Sequence, residues 1–345
     1  MKKLATITLA LLYTSISLLG SPESIFQKAE ELEKSGKAEE AIKLYTEAAN
    51  EGHPQAQYSL GRAYLTGSGV EKDKKEALKW IKKAAEQGNM YAECHLGAFY
   101  RTGDGIKQDE VEGIKWIEKS AKQGYFYAQF ELGCCYLFGW GVKKSPTKAI
   151  KWLTKAAEQG DRVSMRTLGA LYIHCENPLF DLISMHIKHV RNAHKDGSYD
   201  IEKNISEGKK WLTKAVELGD TDAALYLATL QELKDGIKLI RWAAALSNTE
   251  AMIALGSFYL YGEEVEGNPV EKDISIGRKW YERAASLKNS DAMFLLADLY
   301  IYGKDYQGND IGRDFDKGMY WLKEAAESGN SKAKNLLTEI EKNID

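Results

Sequence analysis

Three Ser-x-x-Lys sequences are the feature of this chain that comes nearest to a catalytic motif. On a helix this spacing brings a hydroxyl and an amine to one face, so that the lysine could accept the serine proton, as in hydrolases that recognise penicillins. The Ser-Asp-Asn and Lys-Thr-Gly sequences that accompany the motif in those hydrolases are absent. The sequence therefore favours a protein that is not an enzyme. The three occurrences are Ser145 to Lys148, Ser206 to Lys209 and Ser331 to Lys334.

Four of the six histidines and one of the four cysteines lie in one segment, residues 174–204. These residue types ligate zinc when they converge. The apolar residues between Leu182 and Val190 form one helical stripe that includes His186 but not His189, so a helix would separate the two histidines. The sequence favours an inserted helix with partly exposed histidines over a metal site. The candidate ligands are His174, Cys175, His186, His189 and His194.

Other cofactors and nucleic acids are not indicated. The net charge is −3, from 47 basic and 50 acidic side chains, so the chain has no basic field that would hold a phosphate backbone. Its Gly-x-Gly sequences follow helical segments, whereas the glycine loops that bind nucleotides follow strands. We expect no cofactor, no metal and no nucleic-acid partner.

The first twenty residues have the pattern of a secretory signal peptide. Lys2 and Lys3 precede an apolar run that ends at Leu19, and small residues follow at Gly20 and Ser21. The apolar run is shorter than the roughly 20 residues of a membrane span, so an uncleaved anchor is the weaker alternative. The sequence predicts cleavage after Gly20, no stable membrane span afterwards, and a periplasmic or secreted protein.

The rest of the chain is a series of repeats. Three regular copies begin 36 residues apart, and four less regular copies follow at spacings of 36, 59, 28 and 41 residues. A period of this size is typical of stacked helical repeats. The copies begin at Ala56, Ala92, Ala128, Ser164, Ala223, Ala251 and Ala292. Six of the eight tryptophans occupy one position of the repeat: Trp80, Trp116, Trp152, Trp211, Trp280 and Trp321.

Each copy predicts two helices joined by a turn. The first helix carries Ala, Leu and Tyr at offsets 0, 4 and 8, which form one stripe, and the Gly-x-Gly after it suits a left-handed turn. Glycine at offset 5 costs about 1 kcal/mol inside a helix, so we expect another helix to pass close to it. The predicted N-caps of the second helices are Asp73, Asp109, Ser145, Asn204, Asp273 and Asp314.

The pattern LGxxYxxGxGVxxDxxKAxxWxxKAAxQG resembles the Sel1-like repeat family, which is related to the tetratricopeptide repeat. The resemblance covers roughly residues 38 to 338. It implies an all-α, right-handed superhelical solenoid of helix-turn-helix repeats that binds proteins along its concave face. The predicted organisation is a tetratricopeptide-like capping pair at 21–52, three regular repeats at 53–163, a fourth repeat at 164–222 with an insertion at about 174–204, three irregular repeats at 223–330 and a capping helix at 331–345.

The same resemblance places offsets −1, 2, 6 and 9 of each first helix in a binding groove. At 100° per residue, offsets 2 and 6 also point away from the packed stripe. Aromatic residues at these positions in three successive copies are typical of an interaction surface. The alternative is that the N-terminal cap or the insertion folds over the groove and buries them. The predicted groove residues are Tyr58, Arg62, Leu65, Tyr91, Arg101, Tyr127, Phe130 and Leu137.

The four cysteines are arranged as two candidate disulfides. Cys94 and Cys134 lie at groove offsets of copies two and three. Cys135 and Cys175 lie near the edge of the packed stripe in copies three and four. An even number of cysteines in an exported chain can pair. Each candidate pair is displaced by one helical turn, which can exceed the 7 Å or so that a disulfide allows between Cα atoms. Free buried thiols are the alternative.

Together these features predict an exported, non-enzymatic, monomeric protein that binds a protein partner in the groove of its first three or four repeats. Exported relatives of this kind include periplasmic immunity proteins, which neutralise an antibacterial effector such as a phospholipase. That role is the alternative function, and an effector gene beside the gene for this chain would indicate it.

Overall fold

The structure is a computed structural model and describes residues 20–173, 204–261, 270–303 and 312–342. Within these residues it is all-α, with seventeen helices and no strand, as the sequence predicts. The helices belong to two compact units, Met1–Asp161 and Arg162–Asp345. In each unit successive helices pack against one another, which is the arrangement of a helical-repeat solenoid. The predicted signal peptide and the insertion with its histidines and Cys175 lie almost entirely outside the described residues.

The first unit consists of four helix pairs, and the first pair occupies the place of the predicted N-terminal cap. Its helices are α1 Pro22–Lys34, α2 Ala38–Asn50, α3 Pro54–Thr66, α4 Lys74–Glu86, α5 Met90–Thr102, α6 Glu110–Lys122, α7 Phe126–Phe138 and α8 Pro146–Glu158.

The described residues of the second unit form four further pairs and a single last helix. Its helices are α9 Arg162–Ile173, α10 Ile205–Glu217, α11 Thr221–Ala228, α12 Leu233–Ala245, α13 Thr249–Tyr261, α14 Ile274–Ser286, α15 Ser290–Tyr302, α16 Phe315–Glu327 and α17 Ser331–Lys342. None of the helices that the structure describes is both long enough and apolar enough to span a bilayer.

The predicted N-caps are confirmed, and each also closes the turn before its helix. The Asp73 carboxylate accepts from the backbone N–H groups of Lys75 and Glu76, at 2.8 and 3.1 Å. The backbone N–H of Asp73 itself donates to the carbonyl oxygen of Tyr64, the tyrosine at offset 8. The same backbone bond recurs at each of the other five predicted N-caps, with N···O distances of 2.8 to 2.9 Å.

The close approach predicted at the offset-5 glycines is also confirmed, and the neighbour is the second helix of the same repeat. A Cβ atom on Gly61 would lie 2.7 Å from Cγ1 of Ile81 and 3.1 Å from the carbonyl oxygen of Ala77, both in α4. The cost of a glycine inside α3 is therefore offset by tight packing of the pair.

The shortened fifth copy differs from the others in its first helix. The helix α11 has 8 residues, whereas the first helices of the regular copies have 13. Leu239 occupies the tryptophan position, and the N-cap residue Glu232 makes no side-chain capping bond. This copy is therefore shorter because its first helix ends earlier and its turn contains fewer residues.

Candidate functional site

A continuous line of aromatic side chains crosses the first helices of the three regular repeats. The ring centroids of Tyr58 and Tyr91 are 5.6 Å apart, and those of Tyr91 and Tyr125 are 4.9 Å apart, edge to face. The line continues from Tyr125 to Tyr127 at 6.1 Å and from Tyr127 to Phe130 at 6.4 Å, separations at which rings attract one another. We call six residues the aromatic surface: Tyr58, Tyr91, Tyr125, Phe126, Tyr127 and Phe130.

The aromatic surface is accessible at its third-repeat end. Tyr127 is 46% exposed and Phe126 is 43% exposed, while the other four rings are half-buried. The N-terminal helix pair therefore does not cover this end of the surface. Large aromatic side chains that are held in place by their neighbours and still reach solvent are the usual anchors of protein interfaces.

Tyr125 replaces a helix cap. The corresponding residues before α3 and α5 are His53 and Asn89, and their side chains accept from the backbone N–H groups of Ala56 and Ala92 at 3.1 and 2.9 Å. Tyr125 makes no side-chain capping bond to α7. Losing a cap costs about 1 kcal/mol, so the third repeat has an aromatic ring where helix capping by itself would favour a polar residue.

The two predicted groove arginines lie beside the aromatic surface and are paired. Arg62 Nη2 lies 2.7 Å from Oε1 of Glu33, whose other oxygen accepts from the Tyr45 hydroxyl. Arg101 Nη2 lies 3.2 Å from Oε2 of Glu131. The guanidinium of Arg101 also sits 5.1 Å from the ring centroid of Trp140, an exposed side chain that sequence reasoning did not assign to the groove.

Two predicted groove positions lie in the core instead. Leu137 is 0% exposed and Cys94 is 2% exposed, and Leu65 is partly buried against the apolar cluster around Leu96. The first helices are apolar on several sides, because each packs against its own second helix and also meets the first helices of neighbouring repeats. More than one face of each first helix is therefore buried. The assignment of Leu137 to the groove is wrong.

The three cysteines of the described residues are free thiols. Cys94 shares a hydrophobic cluster with Cys135, and not with Cys134 as the predicted pairing requires. Burial raises the pKa of both Cys94 and Cys135 to about 12 and raises the pKa of Cys134 as well. These groups are therefore protonated at neutral pH and are poor nucleophiles. The predicted partner of Cys135, Cys175, lies outside the described residues.

The tyrosines of the aromatic surface are neutral hydrogen-bonding groups. Burial raises the pKa of Tyr125 to about 12 and also raises the pKa of Tyr58 and of Tyr127. Their hydroxyl groups therefore stay protonated over the physiological range and can both donate and accept.

The Ser-x-x-Lys sequence at Ser145 is used for structure. The Ser145 hydroxyl accepts from the backbone N–H of Lys148 at 3.4 Å, and the Lys148 amine lies over the ring of Tyr136. The two groups are thus turned away from the proton transfer that a nucleophilic serine needs. Ser206 and Ser331 are exposed helix residues. Within the described residues, no group of three or more His, Cys, Asp or Glu side chains could hold a metal.

A cleft of about 370 Å³ lies beside α1, and its polar groups are already paired. His53 Nδ1 accepts from the Ala56 N–H, so the proton lies on Nε2 and is donated to Glu23 at 2.9 Å. This bond holds the pKa of Glu23 below its usual range. Asn89 likewise donates to Gln55 across the cleft at 2.7 Å, so the cleft offers little to a ligand.

Comparison with known proteins agrees with the fold. The family model described as Sel1 repeat matches more than half of the chain, at residues 31–53, 54–89, 91–125, 126–161, 192–220, 249–289 and 290–330. The crystal structure of a Sel1 repeat protein from Oxalobacter formigenes is similar, with 26% identity over 96% of this chain and 91% of that chain and a TM-score of 0.65. No curated protein matches the chain.

Two more solved structures are less similar. The c5321 protein, described as a protective antigen of uropathogenic Escherichia coli with an SLR fold, is 26% identical over 97% of this chain and 75% of that chain, with a TM-score of 0.47. An immunity protein of Pseudomonas aeruginosa, Pa5087, is 19% identical over 79% of this chain and 82% of that chain, with a TM-score of 0.37. Likeness at this level carries no argument about function, so the immunity role stays a prediction.

Proposed function

Because the chain belongs to the Sel1 repeat family, whose repeats build protein-interaction solenoids, we propose that it is an exported adaptor that captures a protein partner on the aromatic surface of its first unit. The groove of the first three repeats holds the partner, and no chemical step is involved. The protein acts as a monomer in the periplasm or outside the cell.

One observation carries the proposal, the exposed aromatic cluster at the start of α7. Tyr125 occupies a capping position without capping, while Phe126 and Tyr127 remain accessible beside it. The start of α7 gives up a capping bond in this arrangement, and a binding surface gains rigid aromatic anchors from it.

Charge introduced at Tyr127 tests the binding site. We expect Tyr127→Glu to abolish the capture of a partner from cells that make the protein natively, because a carboxylate would be buried against apolar groups of the partner. The captured partner is identified by mass spectrometry, purified, and titrated against the purified chain by calorimetry.

The matched control is Tyr302→Glu, which introduces the same charge at a tyrosine 55% exposed in the second unit. This variant is expected to bind like the wild type, and both variants should keep the wild-type circular dichroism. Equal binding by wild type and Tyr127→Glu would exclude the aromatic surface as the site.

Export is tested with the full chain expressed from its own first residue in a bacterium. The expected product lies in the periplasmic fraction or the medium and begins at Ser21 by N-terminal sequencing. A product that keeps Met1 and stays in the cytoplasm would contradict export.

A further inference from the structure

We propose that the aromatic surface takes a short, extended and uncharged segment of its protein partner, whose Leu, Ile, Val or Pro side chains lie on the rings. This inference rests on the proposed function and specifies the chemistry of the partner. Three properties of the surface support it: its charge, its hydrogen-bonding groups and its length.

The charges next to the aromatic surface cancel within the chain. The charged side chains that act on its tyrosines are Arg62, Arg101 and Glu131. Arg101 is paired with Glu131, and Arg62 is paired with Glu33. These described side chains therefore present no net charge, and a charged residue of a partner would lose its hydration against them without gaining an ion pair. Electrostatic complementarity therefore favours a partner segment without charged residues.

The remaining polar groups suit a peptide backbone. The tyrosine hydroxyls are neutral, and the nearby thiols of Cys94 and Cys134 are also held in the neutral form by burial. His95, whose ring lies 5.5 Å from that of Tyr58, uses Nδ1 to donate to the Tyr91 carbonyl oxygen at 3.0 Å. Neutral hydroxyls can donate to the backbone carbonyl groups of an extended segment while its apolar side chains contact the rings.

The length of the surface limits the segment. The four ring-to-ring steps from Tyr58 to Phe130 measure between 4.9 and 6.4 Å, at most about 23 Å in all. An extended chain rises about 3.3 Å per residue, so the aromatic surface accommodates no more than about seven residues.

Selection from a library of random 12-residue peptides displayed on phage tests the inference. The library is selected on the full-length wild-type chain and depleted on Tyr127→Glu, and the enriched peptides are synthesised. Fluorescence anisotropy then gives their Kd values for wild type, Tyr127→Glu, Phe130→Ala and the control Tyr302→Glu, at 50 and 500 mM NaCl.

We expect enriched peptides to share an uncharged apolar run of about seven residues, and their Kd to change less than about twofold between the two salt concentrations. Tyr127→Glu and Phe130→Ala should weaken binding by about tenfold or more, and Tyr302→Glu should not change it. Phe130→Ala removes a half-buried ring without introducing a charge, so it keeps the test valid if Tyr127→Glu fails to fold.

Two other outcomes would overturn the inference in different ways. A charged consensus whose Kd rises about tenfold in high salt would contradict the uncharged segment but leave the proposed function intact. The absence of any peptide whose binding depends on Tyr127 and Phe130 would contradict the inference, whereas equal partner capture by wild type and Tyr127→Glu would contradict the proposed function as well.

Discussion

Successive repeats are joined in the second unit by amides and carboxylates, and at one place in the first unit by aromatic rings. We use the word rung for a contact between two residues of successive copies. One is the N-cap residue of a helix, and the other lies at offset −1 of the preceding copy. In the second unit three rungs are side-chain amides that each donate to a carboxylate, at 2.7 to 2.9 Å. The pairs are Asn248 with Asp222, Asn289 with Glu250 and Asn330 with Asp291.

The first unit contains both kinds of rung. Asn89 donates to Gln55 at 2.7 Å, and the next rung along the chain is the edge-to-face contact of Tyr125 with Tyr91. A polar rung is therefore compatible with the fold in either unit. The aromatic rung differs in giving up the capping bond of a polar residue for ring contacts, and it lies within the surface that we propose for binding.

Removal of a polar rung has the largest expected effect on stability. Asn289 caps α15 through the N–H groups of Asp291 and Ala292 and donates to Glu250 and Thr249. We expect Asn289→Ala to lower the free energy of unfolding by about 2 to 3 kcal/mol, from the lost cap and a lost bond to a carboxylate. Urea denaturation followed by circular dichroism measures the change.

Asn289→Ser separates the rung from the cap. The serine hydroxyl can still cap α15 but cannot reach across to Glu250, so the expected loss is about half that of Asn289→Ala. Wild-type stability in the serine variant would show that the polar rung contributes nothing and would remove the basis of the comparison.

Conversion of the aromatic rung to the polar type has a smaller effect on stability and a clear effect on binding. Tyr125→Asn gains a cap worth about 1 kcal/mol and loses ring contacts with Tyr91 and Phe126 worth about 0.5 to 1.5 kcal/mol each. We expect the free energy of unfolding to fall by no more than about 2 kcal/mol, while the affinity for selected peptides falls about tenfold. Denaturation and fluorescence anisotropy measure the two quantities.

Tyr125→Ala is the control for the cap. It loses the same ring contacts without gaining an acceptor, so it should be about 1 kcal/mol less stable than Tyr125→Asn. Equal stability of the two variants would mean that residue 125 is not a capping position. Unchanged peptide binding in both would mean that the aromatic rung has no part in recognition.

A buried carboxyl in the first unit gives the smallest expected effect. The side chains of Gln57 and Gln129 each bond to a glutamine at the end of the following second helix, at 2.7 and 2.8 Å. Glu93 takes the same position in the second copy, is 4% exposed, and accepts from Gln123 at 2.7 Å. We expect Glu93→Gln to raise the free energy of unfolding by about 1 kcal/mol at pH 8, because a buried charge is removed.

The pH dependence of this gain follows from the direction of the pKa shift. Burial raises the pKa of Glu93 above its ordinary value of 4.5, against smaller opposing effects of Gln123 and Lys119. The folded protein therefore takes up this proton before the unfolded chain does, and the wild type gains stability relative to Glu93→Gln as the pH falls from 8 towards 4.5. Denaturation at pH 8 and pH 5 should give a smaller gap at pH 5. Gln129→Glu should reverse the sign, and equal gaps at both pH values would contradict the assignment.

Local chemistry made the scaffold predictable from the sequence. An N-cap such as Asp73 depends only on its own side chain and on the few backbone N–H groups that follow it. The turn before it depends only on glycines that can adopt the left-handed conformation. The close contact at Gly61 followed from the cost of glycine in a helix, although its partner Ile81 in α4 was found only in the structure. Such features depend on neighbours within one repeat, which a sequence period reveals.

The candidate site was only partly predictable because it depends on contacts between repeats. Tyr58, Tyr91, Tyr127 and Phe130 were assigned to one face from their offsets, and the structure brings their rings into one line. Tyr125 and Phe126 were missed because the groove offsets considered began one residue before the start of each copy and so omitted the N-cap region. The signal was present in the sequence, since Tyr125 stands where His53 and Asn89 stand in the preceding copies.

The backbone hydrogen bond between each offset-8 tyrosine and the following N-cap residue makes the turn between them a site where insertions are tolerated. The same bond closes over eight intervening residues between Tyr64 and Asp73 and over residues 173–203 between Tyr172 and Asn204, at 3.1 and 2.9 Å. Since its ends are held together whatever their separation in the chain, a foreign loop grafted there would leave the helix pair intact. The fold is in this sense a display framework, whose repeats can diversify in their turns while their packing is preserved.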